Sequence, residues 1–65
     1  MKLKEIIDVI PSLDTIAIVC PEAPEDWIYK GTCEDFEERE ESQKWMGHQI
    51  AFAGVHDSIH ILAIW

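Results

Sequence analysis

The most concentrated group of chemically active side chains in this sequence is a run of carboxylates at residues 34–41. Six of these eight positions are acidic, and only Phe36 and Arg39 interrupt them. On a helix, acids three or four positions apart face each other, and each like-charged pair costs about 0.2–0.5 kcal/mol. The run is either a solvated face that keeps the protein soluble or a binding surface for a basic protein. We call it the acidic surface, and it consists of Glu34, Asp35, Glu37, Glu38, Glu40 and Glu41.

Catalysis by paired carboxylates needs a pocket that raises the pKa of one carboxyl group above that of the other. A chain of 65 residues buries only about 60% of its unfolded surface, so an enclosed pocket is difficult to build. The serines occupy turn-like or polar positions outside any GxSxG motif, and the three glycines are isolated. We therefore expect no catalytic residues and no enzyme activity.

Histidines and cysteines are the remaining candidates for metal binding or redox chemistry. A structural zinc site needs about four ligands in a tetrahedral arrangement. His56 and His60 flank a predicted turn instead of sharing a helix face, and His48 precedes them. The 12 residues between Cys20 and Cys33 match neither a CxxC pair nor a disulfide framework. We expect no metal or other cofactor, and two reduced cysteines packed as small apolar side chains.

The overall charge narrows the class of partner. Five Lys and Arg against 13 Asp and Glu give a net charge of −8 at pH 7, and the pI is near 4.5. This charge repels phosphate backbones and anionic lipids, which disfavours direct binding to nucleic acid or membrane. The sequence also has no apolar run of about 18 residues that could span a membrane. We expect a single domain, residues 1–65, that is cytoplasmic and has a protein as its partner, with a basic protein favoured by the charge.

The first part of the chain predicts a helix and then a buried strand. Apolar residues from Leu3 to Ile10 follow the spacing i, i+3, i+4, i+7, and Pro11 ends this helix. Residues 15–20 (TIAIVC) are mostly β-branched and almost wholly apolar, which is typical of a central strand covered on both faces. The proline-rich and acidic residues 21–26 (PEAPED) predict an exposed loop.

The middle of the chain predicts a second strand and a second helix. Residues 27–30 (WIYK) form a short strand that pairs with the first one as a hairpin. Thr32 and Asp35 have the spacing of a capping box, with the shorter acid in the Glu position, so a helix begins there. We expect this helix to continue to about residue 43 or 44.

The end of the chain predicts another β-hairpin. Residues 49–55 and 59–65 are strand-like, and residues 56–58 between them fit a tight connection. The element order is helix, strand, strand, helix, strand, strand, which defines the α+β class. We therefore expect a small two-layer αββαββ domain with a four-stranded, largely antiparallel sheet and two helices on one face.

Two helices can cover only one face of this sheet, so the other face is expected to be exposed. The last strand is apolar on both sides, and neither side is convincingly polar. An exposed apolar patch on this strand marks an interface for a homodimer or another partner, and we predict that it includes Leu62, Ile64 and Trp65. The alternative is that the last strand lies centrally and the second helix covers its other face.

Aromatic residues could anchor a partner on the acidic surface. Charge complementarity speeds encounter with a Lys- and Arg-rich groove, and desolvated aromatic side chains supply much of the affinity. We predict that Trp27, Tyr29 and Trp45 have this role beside the acidic surface.

Three segments of the chain follow a recurrent pattern. They are the helix at residues 2–10, the stretch Tyr29-Lys30-Gly31-Thr32 leading into Glu34-Asp35-Phe36, and the apolar C-terminal strand. Together they resemble short open reading frames found in bacterial genomes of the gut type and in their prophages. The resemblance implies an αββαββ fold without known catalytic residues. In size and charge alone, the chain is similar to small acidic phage proteins that inhibit bacterial defence, including anti-CRISPR proteins.

The predicted function is therefore a non-enzymatic interaction module from a phage or other mobile element. It would inhibit a basic, nucleic-acid-binding host protein through the acidic surface. The alternative is a homodimeric structural domain whose acids only confer solubility.

Overall fold

The backbone forms four strands and three short α-helices. The structure is a computed structural model that describes the backbone of residues 1–65 and the side chains of all residues except 23–26. The elements are α1 (Leu3–Ile7), β1 (Thr15–Cys20), β2 (Ala23–Thr32), α2 (Cys33–Glu38), a 3-10 helix (Glu40–Ser42), α3 (Gln43–Met46), β3 (Ile50–His56) and β4 (Ile59–Ile64). The predicted α+β class is confirmed.

The four strands form one mixed sheet in the order β2-β1-β4-β3. The outer pairs, β1 with β2 and β3 with β4, are antiparallel, and the central pair, β1 with β4, is parallel. The largely antiparallel sheet is therefore confirmed, with one parallel pair at its centre. Parallel strands need a crossover connection, and here α2, the 3-10 helix and α3 lie between β2 and β3 in the chain. The prediction of a central first strand is also correct, because β1 lies between β2 and β4, but the helices cover only the face of β1 that carries Ile16 and Ile18.

The hydrophobic core lies between one face of the sheet and the helices. Leu3 and Ile7 of α1 and Phe36 of α2 pack with side chains of the sheet. Trp45 and Met46 of α3 are partly buried against the same core. Its sheet side consists of alternate residues on each strand, as the two-residue period of a strand requires, and includes Ile16, Ile18, Tyr29, Leu62 and Ile64.

The β3–β4 hairpin turns through Asp57 and Ser58. Both residues have positive φ angles, 51° and 65°, which is the backbone conformation of a two-residue type I′ turn. The twist of this turn matches the right-handed twist of the paired strands. The predicted hairpin is confirmed.

The predicted second helix is interrupted in the middle of the acidic run. Thr32 caps α2, and its Oγ1 accepts a hydrogen bond from the backbone N–H of Asp35 at 3.2 Å. Arg39, however, has an extended backbone (φ −80°, ψ 133°) that separates α2 from the 3-10 helix. Phe36 and Trp45 are nine positions apart, so at about 100° per residue an unbroken helix would place them on opposite sides. The interruption lets both side chains reach the core, and a single helix to residue 43 or 44 was a wrong prediction.

The second strand is longer than the sequence predicted. β2 begins at Ala23, so only Pro21 and Glu22 connect it to β1 in place of the predicted loop at residues 21–26. The β1–β2 register shifts twice, between Ile18 and Val19 and between Val19 and Cys20. The side chains of residues 23–26, including the acids of the predicted loop, lie outside the described residues.

Candidate interaction surfaces

The acidic surface is fully exposed in the structure. Its first four acids lie on α2 and its last two on the 3-10 helix, and all six side chains are exposed. The guanidinium of Arg39 lies 3.8 Å from a carboxylate oxygen of Asp35, an exposed contact that contributes little to stability. Thr32 at the end of β2 and three acids of α2, Glu34, Asp35 and Glu38, surround a shallow depression. The surface therefore presents its charges to solvent.

The predicted aromatic anchors do not lie together on this surface. Tyr29 is buried in the core, and Trp45 packs against the core with its ring 5.2 Å from that of His48. Trp27 is 57% exposed, but it pairs with Val19 on the opposite side of the sheet. The prediction that Tyr29 is available as an anchor is wrong, because it faces inward on the same side as Ile18, its register partner.

Tyr29 instead connects β2 to the start of α2. Its hydroxyl oxygen lies 2.9 Å from the carbonyl oxygen of Thr32 and 3.3 Å from Asp35 Oδ2, and the two acceptors share its single proton. Burial and the neighbouring Asp35 carboxylate raise the pKa of this phenol above 10.0. Gly31 leaves room for the ring, because a Cβ at this position would overlap the Tyr29 hydroxyl. Tyr29 is a structural residue that positions the first turn of the acidic surface.

Leu62 and Ile64 are also buried, which corrects the predicted interface on the last strand. Their side chains are 1% and 2% exposed and belong to the core. β4 lies centrally, and Leu62 pairs in register with Ile18, which faces the helices. The two faces of this strand were therefore assigned the wrong way round. Trp65, at 67% exposure, is accessible, and its role in an interface stays a prediction.

Among the residues that the structure describes, no helix packs over the face of the sheet opposite the core. Register pairs place Val19 of β1 beside Ala63 of β4, and Ala63 beside Phe52 of β3. We call this the open sheet face. It includes Ala17, Val19, Trp27, Phe52, Ile61 and Ala63, and by strand alternation Trp65 follows Ile61 and Ala63 on the same side.

The side chains on the open sheet face differ in size between its centre and its edges. Ala17 and Val19 in the centre are buried, whereas Trp27 on β2 and Phe52 on β3 are 57% and 60% exposed. The Phe52 ring leans along its strand, and a Cβ at Gly54 would lie 3.0 Å from it. Large aromatic surface is therefore exposed at both edges of this face.

The open sheet face carries no acid among the residues whose side chains the structure describes. Its ionisable side chains there are Lys30, whose register partner is Ala17, and His56, whose register partner is Ile59. The Lys30 ammonium lies 4.2 Å from the centre of the Trp27 ring, a cation–π contact that keeps the charge beside the aromatic surface. In this chain of net charge −8, the acidic surface therefore lies on the helical layer, and the exposed aromatic side chains Trp27 and Phe52 lie on the open sheet face.

The three histidines have separate environments. His60 Nε2 lies 3.0 Å from Asp14 Oδ2 and links the start of β1 to β4. His56 is exposed beside Asp57, and His48 contacts the backbone oxygen of Trp65 through Nδ1. Across the described side chains, no group of three His, Cys, Asp or Glu could hold a metal ion. The described part of the chain also has no helix long and apolar enough to cross a membrane.

Cys33 is buried at the start of α2, and its thiol lies near carboxylate and carbonyl oxygens. Sγ is 3.6 Å from the carbonyl oxygen of Ile7 and 3.6 Å from Glu37 Oε1. Burial and the hydrogen bond to Glu37 raise the pKa of the thiol from 9.0 to about 11. The nucleophilic form of cysteine is the thiolate, so Cys33 is a protonated packing residue at neutral pH, as the sequence predicted for the cysteines.

The architecture is that of a small two-layer α+β domain with one uncovered sheet face. Comparisons of the chain with protein families, with curated proteins and with solved structures found no match.

Proposed function

We propose that this protein is a non-enzymatic interaction module that binds another protein surface through the open sheet face. The observation that supports this proposal is the exposure of Trp27, Phe52 and Trp65, each more than half exposed, around a sheet face whose described side chains include no acid. Soluble monomers rarely expose a contiguous apolar patch larger than a few hundred Å². Aromatic side chains are also enriched among the residues that dominate binding energy.

A site-specific photo-cross-linker tests this proposal directly. Placed at Trp27, it is expected to give cross-linked products in cells, because this position lies at the edge of the proposed interface. The matched control is Val9, which is 77% exposed but follows α1 in the helical layer. Products are separated by mass, so that a self-adduct is distinguished from an adduct with another protein. Equal yields from both positions, or no product from Trp27, would contradict the proposal.

We propose the acidic surface as a second binding surface, for a basic protein. All six acids are exposed, and Asp35 has an ion pair with Arg39, so most of the negative charge is available to a partner. Charge complementarity of this kind increases the association rate and selects the partner. The inhibitor of a basic, nucleic-acid-binding protein suggested by size and charge would use this surface.

Charge reversal tests the acidic surface. Changing Glu37, Glu38, Glu40 and Glu41 to lysine is expected to weaken capture of basic proteins at least tenfold, and capture by the wild type should fall as salt rises. The control variant has the same change in net charge, with lysine at four exposed acids outside the acidic surface, namely Glu5, Asp8, Glu22 and Asp57. If both variants lose capture equally, net charge and not this surface is responsible, and the second proposal fails.

A further inference from the structure

We infer that the partner on the open sheet face is a second copy of this chain, packed face to face in a two-fold symmetric dimer. This inference rests on the proposed function and adds the identity of the partner. Two sheets packed in this way lie about 10 Å apart and bury the side chains of both inner faces. The charge of the face, its area and its pattern of side-chain sizes each support a second copy as the partner.

The charges of the described side chains favour self-association on this face over the helical layer. Two chains of net charge −8 repel each other, but the acidic surface lies on the helical layer, and the described side chains of the open sheet face include no acid. In a face-to-face dimer the acidic surfaces point outward, more than one molecular thickness apart. The shortest dimension of one chain is 20 Å, well beyond the Debye length of about 8 Å at physiological salt. A basic partner, in contrast, is attracted to the opposite layer.

The area of the face falls within the range of specific interfaces only if the whole face takes part. The two longer dimensions of the molecule are 27 and 26 Å, so the projected area of the face is at most about 700 Å². Each partner in a specific interface buries about 600–1,000 Å². The exposed aromatic side chains at both edges agree with an interface that extends across the whole face.

The pattern of large and small side chains on this face allows two copies of the face to pack against each other. One row across the sheet has the large residues Trp27 and Phe52 at its two edges, in register with Val19 and Ala63 between them. The next row contains Lys30, Ala17, Ile61 and Gly54 in strand order. A two-fold axis that runs across the strands between these rows places Phe52 of each copy over Gly54 of the other. It also places Trp27 of each copy over Lys30 of the other, whose ammonium already lies beside a tryptophan ring. Alternating large and small side chains in this way gives interdigitated packing.

Light scattering during size exclusion, from low to high micromolar concentration, tests the inference with purified protein alone. We expect a mass of about 15 kDa, twice the 7.5 kDa of one chain. Phe52→Glu is expected to weaken the dimer at least tenfold, because it places a carboxylate in the apolar interface. The matched control is Val55→Glu, which alters a residue of similar exposure on the other face of the same strand. Trp27→Glu repeats the test on the opposite edge, and circular dichroism checks that each variant is folded.

Each outcome of this experiment decides the inference. A wild-type monomer at all concentrations would overturn it, as would a dimer that survives both Phe52→Glu and Trp27→Glu. Loss of the dimer in Val55→Glu alone would place the interface on the helical side and would also overturn it. If the purified chain is monomeric but the cross-linker at Trp27 yields an adduct with a different protein, the proposed function stands and only the dimer fails.

Discussion

Phe36→Ala is expected to remove most of the stability of this domain. Phe36 is 2% exposed, and its ring centre lies 5.0 Å from that of Tyr29 in the core. Truncation of a buried phenylalanine costs about 3–5 kcal/mol, because apolar contacts are lost and a cavity remains. A chain of 65 residues has a free energy of unfolding of only about 3–10 kcal/mol. Urea unfolding followed by circular dichroism measures the difference.

The control for this prediction is the same substitution at Phe52, on the open sheet face. Phe52 is 60% exposed, so its truncation should change the free energy of unfolding by about 1 kcal/mol or less in the monomer. Both variants are measured at the lowest practical concentration, because dimerisation would add stability that depends on concentration. Equal losses for Phe36→Ala and Phe52→Ala would contradict the assignment of the core to the helical side of the sheet.

Leu62→Asp is expected to abolish the cooperative unfolding transition, whereas Ile61→Asp is expected to keep the fold. Leu62 is 1% exposed within the core, and Ile61 lies half-buried on the opposite face of the same strand. A carboxylate at position 62 loses its hydration without a partner and also removes apolar contacts, which together cost more than about 4 kcal/mol. At position 61 the carboxylate can remain hydrated in the monomer.

Amide proton NMR spectra at low concentration distinguish the two variants. We expect dispersed resonances for Ile61→Asp and collapsed resonances for Leu62→Asp. Ile61→Asp should also prevent dimerisation, so it separates folding from assembly in one protein. The opposite order of effects would mean that the other face of β4 packs under the helices, as the sequence had suggested.

The placement of the two surfaces on opposite layers lets both act in one assembly. A face-to-face dimer covers Trp27 and Phe52 and leaves an acidic surface on each outer side. Such a dimer presents two copies of the acidic surface to basic proteins, and two linked sites raise the overall affinity when both engage. The two proposals are therefore compatible, although each is tested separately.

Local patterns were sufficient to predict most elements of the fold. The strand at residues 15–20, the cap at Thr32 and the turn at residues 56–58 all lie where the sequence indicated. β-branched apolar runs, a hydroxyl that caps a helix, and short polar turn residues act within a few positions of the chain. The α+β class follows from the order of these elements.

The sides of the last strand and the break in the second helix depend on residues far apart in the chain. Residues 59–65 are apolar on both faces, so their two-residue period has no polar side that identifies solvent. The parallel pairing of β4 with β1 places Leu62 beside Ile18 and so directs it into the core. In the same way, the need to bury both Phe36 and Trp45 interrupts the helix at Arg39. The sequence alone established the run of acids at residues 34–41 and the large share of apolar residues, 48% of the chain. Tertiary packing decided that the acidic surface and the open sheet face lie on opposite layers, and which apolar side chains reach the solvent.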